Sequence, residues 1–236
     1  LGLGLVAGWT VVALLTLAVP VAEAGQAMVL LLVKLAVGVG IGATTTLLVL
    51  RWFKAHDNKV FAYYLMHDYA YAARTNGANP PQLEARMAEF TARVRAAMDG
   101  DYDEVLVVGH SSGAHLGVSI LSDMIRGGLP PRTPALGFLS LGQVVPMVSF
   151  LKGAARLRGD LAYLSASDRV TWVDVTAPGD GCAFALCDPV AVSGMAPADQ
   201  KGPLVLSAAF TQTLSPARWK ALRWRFFRLH FQYLCA

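Results

Sequence analysis

Val105 to Gly117 reads VLVVGHSSGAHLG, and inside it Gly109-His110-Ser111-Ser112-Gly113 places a serine between glycines. An apolar run ends in front of this serine and a helix-forming segment follows it. A serine hydroxyl is a weak nucleophile until a base removes its proton, and it must stand where a substrate can reach it. A sharp strand-to-helix turn would lift Ser111 clear of a sheet. Such a turn crowds its neighbours, and glycine at both flanks removes the side chains that would clash. The start of the helix then offers a free backbone N–H, and Ser112 N–H is placed to meet a developing oxyanion. The five-residue pattern is short and arises by chance. The VLVV run before it and the helix after it give it weight.

In this setting the chain resembles the α/β-hydrolase superfamily, over roughly Lys59 to the C-terminus. The resemblance implies a nucleophile, an acid and a histidine in that chain order, each just past a strand. It makes Ser111 the nucleophile. Downstream of Ser111 stand two histidines, His115 and His230. His115 lies one helical turn past the serine, where a packing or capping role fits. His230 follows the last strand and takes the general-base role. It departs from the family by falling about 20 residues beyond that strand, within a helical pattern, where a packed ring among Phe227, Phe231 and Tyr233 is the bland alternative. The acid is assigned to Asp180 in TAPGDGCAF, with Asp188 in CDPV next and Asp174, inside its strand, third. It would hold the His230 tautomer and stabilise the imidazolium; as a bland alternative Asp180 is a turn residue. The second oxyanion donor would come from LMHDYAY, a backbone N–H of Met66, His67 or Asp68. The family's His-Gly form is absent there, and the His67 and Asp68 side chains could instead shape the pocket.

Several elements must position these groups. KVFAYYL, Lys59 to Leu65, predicts a buried strand. Pro80 and Pro81 suit the first turn of a helix over Gln82 to Met98, with Leu83, Met87, Phe90, Val94 and Met98 on its apolar face. VLVV reads as a strand buried on both faces of a parallel sheet. AHLGVSILSDMIRGG predicts a helix stopped by Gly127 and Gly128. ALGFLSL, VTWVDVT and PLVLSAAF predict strands, VVPMVSFLKGAARL an apolar loop or helix. The stretch SPARWKALRWRFFRLHFQYL predicts one final helix with Ser215 as N-cap and Pro216 at its first position. Strand and helix alternate, which predicts an α/β domain over 57–236 with a mainly parallel, hydrolase-like sheet flanked by helices.

The chain has 236 residues, 55% hydrophobic and 15% charged, and a mean hydropathy of +0.46. The apolar excess sits at the start. Residues 1–22 carry no charge and residues 27–50 carry one, Lys34. Each is long enough to cross a bilayer, which takes about 20 helical residues. With Glu23 to Gln26 as a polar turn, residues 1–52 predict a transmembrane hairpin. A cleaved signal peptide is the alternative for the first segment, which lacks a basic flank. Gly4 with Gly8, and Gly38 with Gly42, would let two helices pack closely. Lys34 would snorkel to the interface. Arg51, Lys54 and Lys59 follow the second span, which predicts a cytoplasmic C-terminal domain.

Three cysteines, Cys182, Cys187 and Cys235, make an odd count without framework spacing, as for free thiols. A lone C-x4-C with no histidine at ligand spacing is a poor metal site. No P-loop, dinucleotide fingerprint or zinc motif occurs, so no cofactor and no metal are expected. A net charge of only +4 argues against a nucleic-acid partner. The last helix interleaves Arg218, Lys220, Arg223, Arg225 and Arg228 with Trp219 and Trp224, which suits anionic headgroups as well as it suits a solvated helix face. The expectation is a membrane-anchored serine esterase or lipase acting on lipid or acyl-chain esters through an acyl-enzyme, with Leu141 to Leu151 as an apolar cap. Thioester hydrolysis and acyl transfer use the same groups. A different class, a non-catalytic subunit or scaffold of a membrane complex or a homo-oligomer, is the other expectation.

Overall fold

The computed structural model describes residues 2–18, 24–129 and 134–235. Two compact units, Leu1–His67 and Asp68–Ala236, divide the chain within a helix.

In the first unit, α1 (Gly2–Ala18) packs along α2 (Ala24–Ala55). A Cβ on Gly8 would lie 2.7 Å from the Gly38 carbonyl oxygen. Bare backbone at both positions therefore sets how closely the helices approach. The packing of Gly4 and the chain at residues 19–23 lie outside what is described. Ala24 to Gln26, expected in a turn, already belong to α2. Met28–Ala55 is long and apolar enough to cross a membrane. Lys34 is only 6% exposed instead of reaching out from the helix.

The strand expected at Lys59 to Leu65 is helical: α3 (Asp57–Val60) and α4 (Ala62–Arg74) occupy it. Val60 is its one β-branched residue, and no Gly or Pro separates it from α2. Phe61 turns left-handed between the two helices. The Asp57 carboxylate then accepts from Tyr63 N–H at 2.7 Å and Tyr64 N–H at 3.0 Å, which satisfies the first orphan donors of α4.

The second unit continues with α5 (Pro81–Met98), β1 (Glu104–His110), α6 (Ser112–Arg126), β2 (Ala135–Leu141), α7 (Val145–Ser149), α8 (Ala155–Ala166) and β3 (Thr171–Thr176). After these come α9 (Pro189–Val192), β4 (Leu204–Ser207), α10 (Phe210–Thr213), α11 (Pro216–Leu222) and α12 (Phe226–His230), with a 3₁₀ turn at Phe231–Leu234. The fold is α/β, with a parallel four-stranded sheet in the order β1-β2-β3-β4. Pro81 starts α5, and α6 ends at Gly127 with Gly128 left-handed after it at φ 82°. The expected single last helix is broken: Arg225 leaves helical geometry, and the chain re-enters as α12.

Only one face of the sheet carries the main core. Val105, Val107, Leu136, Phe138 and Trp172 pack with Val118 and Leu121 of α6 and Leu161 and Leu164 of α8. Ion pairs bind the covering helices, Arg156 of α8 reaching Glu84 of α5 at 2.9 Å and Asp123 of α6 at 2.6 Å. The other face is open, with Leu106 54% and Leu204 60% exposed, and Val108 and Leu206 exposed beside them. The expectation that VLVV is buried on both faces is corrected. As an edge strand β1 pairs on one side alone and alternates between covered and open residues. Phe90, expected in the apolar face of α5, is exposed between the Arg86 and Arg93 guanidiniums.

Candidate active site

Ser111 occupies the one-residue joint between β1 and α6. Its φ of 57° and ψ of −121° lie where a residue with a Cβ is strained. Its N–H donates to Leu141 O at 2.9 Å, at the end of the neighbouring strand. The residue stands at the N-cap of α6, where serine usually turns its hydroxyl to the backbone, yet Ser111 makes no such bond. The hydroxyl is thus left for another use. A Cβ on Gly109 would lie 2.7 Å from Gly113 O, so the turn demands glycine there. At Gly113 a Cβ would meet nothing within 4 Å. The expectation that both flanking side chains would clash holds for Gly109 alone; Gly113 is simply the backbone that Gly109 must pass.

His230 ends α12, and its Nδ1 lies 2.7 Å from Asp180 Oδ2, with both side chains buried. The same Oδ2 accepts from Tyr233 Oη at 3.0 Å, and Oδ1 accepts from Cys182 N–H at 2.9 Å. Asp180 is therefore held on both oxygens. With the proton of Nδ1 on the Asp180 side, Nε2 is a free acceptor. It is buried and has no hydrogen-bond partner among the described residues.

The His230 ring lies against His110, the last residue of β1. His110, which precedes the serine, stacks on it with ring centroids 4.5 Å apart and donates from Nε2 to His230 O at 3.0 Å. Burial holds the His110 pKa below its ordinary value, partly opposed by the hydrogen bond to His230 O. Gly142 follows the carbonyl that holds Ser111 N–H. Its φ is 53°, and a Cβ there would lie 2.9 Å from His230 Cε1.

The other acids have separate employment. Asp188 caps α9, accepting from Val190 N–H at 2.8 Å and from Gln200 Nε2 at 2.7 Å. Asp174 is buried on the covered sheet face, where Ser140 Oγ donates to it at 2.5 Å. Burial pushes its pKa up to about 7, against the lowering effect of that bond.

Ser112 is the first residue of α6, so no earlier helical carbonyl accepts from its N–H, which remains available. Its side chain donates to Asp68 Oδ2 at 2.7 Å. Met66, His67 and Asp68 lie inside α4, where backbone N–H groups are spent on carbonyls one turn earlier. The expected loop donor is thus absent from that stretch. His67 stacks on Tyr63 of its own helix at 4.3 Å. Asp68, Tyr71, Asn79, Ser112 and His115 line a cavity of about 230 Å³, together with apolar Leu116, Met147 and Val148. Burial lowers the His115 pKa to about 4, partly opposed by Asp68, so the ring is neutral in this cavity. The segment expected to form an apolar cap contributes α7 to its wall.

His110 and Tyr233 were not singled out by sequence. His110 fills the variable position of G-x-S, and the one signal for Tyr233 is its place one turn after His230. The three cysteines are free, and burial raises the Cys182 thiol to about 11, with Asp180 adding to the effect. Among the described residues no group of three or more His, Cys, Asp or Glu side chains could hold a metal ion. No family model, no curated protein and no solved structure matches this chain.

Proposed function

We propose that the chain is a membrane-anchored serine hydrolase of α/β-hydrolase type that cleaves carboxylic esters of lipids or other acyl chains. The observation that carries this reading is the buried His230–Asp180 pair with its free Nε2, packed against His110, the residue before a strained serine with an uncommitted hydroxyl. In the reaction Ser111 Oγ attacks the ester carbonyl while His230 Nε2 takes its proton. Asp180 stabilises the imidazolium, and Ser112 N–H faces the oxyanion. The C–O bond to the alcohol then breaks, and the alkoxide leaves with the proton from Nε2. Water, deprotonated by the same nitrogen, attacks the acyl-enzyme and releases the acid and free Ser111. The cavity beside Ser112 supports a place for part of the ester.

Met28–Ala55 supports the anchor, with α1 packed on it as the other arm of a hairpin. Arg51, Lys54 and Lys59 support a cytoplasmic side for the second unit. A second reading, a non-catalytic subunit of a membrane complex, is favoured by the open apolar sheet face.

Labelling with a fluorophosphonate probe in detergent tests the enzyme reading. Wild type is expected to label, and Ser111→Ala and His230→Ala to lose it. A folded wild type that stays unlabelled in both detergent and lipid would leave the subunit reading.

A further inference from the structure

We propose that the outer surface of α11 and α12 docks on an anionic lipid bilayer, so that the site draws its ester from the membrane that anchors the chain. This rests on the function proposed above and adds the surface through which it works.

The first observation is charge. From Gln200 to Ala236 the sequence holds no Asp or Glu, yet it carries Lys201, Arg218, Lys220, Arg223, Arg225 and Arg228. All six are exposed. They exceed the whole chain's net charge of +4. Lys201 pairs with Asp168 at 3.7 Å. Among the described residues none of Lys220, Arg223, Arg225 and Arg228 meets a carboxylate. A cluster of basic side chains without acidic neighbours is complementary to anionic headgroups.

The second observation is apolar. Trp224 is 74% exposed and Phe226 52% exposed, set between those arginines, with the Arg223 guanidinium 5.7 Å from the Trp224 ring. Large aromatic rings left in water are unfavourable, and the headgroup region takes their apolar faces and their polar edges together. The third observation is position. Trp219 of α11 packs against Gly179, and Phe226 against Gly181, so the patch grips the loop that carries Asp180. A bilayer that seats Trp224 and Phe226 therefore lies beside the loop that carries Asp180.

The test uses the full chain in lipid discs with brominated acyl chains, comparing wild type with Trp224→Phe so that the difference isolates Trp224 fluorescence. In discs of mixed phosphatidylcholine and phosphatidylglycerol, Trp224 should be quenched by the brominated lipid and shielded from aqueous iodide. Quenching should be lost in pure phosphatidylcholine and in a variant with Arg223, Arg225 and Arg228 all changed to Gln, and should weaken with added salt. A Trp224 that iodide reaches and brominated lipid does not, in the anionic discs, overturns the proposal. Capture of a single-stranded oligonucleotide by a patch that ignores lipid also overturns it and reassigns the surface to nucleic acid. Fluorophosphonate labelling of the same samples separates the two claims. Labelled but unquenched protein loses the docking alone, quenched but unlabelled protein loses the hydrolase reading alone, and a chain that enters no disc loses the anchor and the docking together.

Discussion

Ser111 holds a backbone conformation that costs roughly 1–3 kcal/mol for a residue with a side chain. Nothing in the packing of the turn rewards that cost, since the hydroxyl caps no helix. Replacing the serine by glycine should relieve the strain. Ser111→Gly is expected to raise the free energy of unfolding by about 1 kcal/mol while abolishing probe labelling. Denaturant titration in detergent checks the first part, and an unchanged or lower midpoint contradicts it. Asp174 supplies a second residue-scale prediction. Its folded pKa of about 7 lies above the ordinary carboxylate value, so the folded chain binds more protons than the unfolded one between about pH 4 and 7. Stability should therefore fall as pH rises through that window and level off above it. Asp174→Asn keeps an acceptor for Ser140 and removes the charge. It should flatten this slope and stabilise the chain at pH 8 by at most about 4 kcal/mol, read from unfolding at several pH values.

At the scale of elements, β1 decides how the site is built. It ends at the serine, pairs with β2 alone, and covers its Val105 and Val107 face only. The two faces should answer differently to truncation. Phe138→Ala, on the covered face of β2 against Trp172, should cost about 3–5 kcal/mol. Leu106→Ala, on the open face of β1, should cost under about 1 kcal/mol. Comparable losses in the two variants would mean that something covers the open face in solution. The ends of β2 and β3 matter as much as their middles. Leu141 O holds Ser111, Gly142 clears a space for His230, and the loop after β3 delivers Asp180. The break between α11 and α12 then brings both His230 and Tyr233 to that carboxylate.

Across the whole molecule, apolar and charged residues are segregated along the chain. Met28–Ala55 has the length and composition of a membrane span, and basic residues cluster at its C-terminal end, Arg51, Lys54 and then Lys59, and again at the end of the sequence. If α2 spans the bilayer, the full chain should remain in the membrane pellet after alkaline carbonate extraction. Changing Leu35 and Val39 to Asp should release it, because a charge near the middle of a span costs about 3 kcal/mol. Release of the wild type by carbonate would contradict the anchor.

Local chemistry was legible in the order of residues. The G-x-S-x-G turn, the cap Ser215, Pro81 at a helix start and the four strands of the sheet depend on neighbours in sequence, and their residue types settled them. The strand expected at Lys59 to Leu65 was misread because aromatic residues favour strands in isolation, while here Asp57 caps a helix that follows straight from α2. Sequence order also ranked Asp180 ahead of Asp188 and Asp174, but only the fold gave each its partner: histidine for Asp180, a helix N-terminus for Asp188, a buried serine for Asp174. The same is true of His110, Tyr233 and the open sheet face. Each arises from contacts between residues far apart in the chain, and a linear pattern carries the period of an element but not the identity of what packs against it.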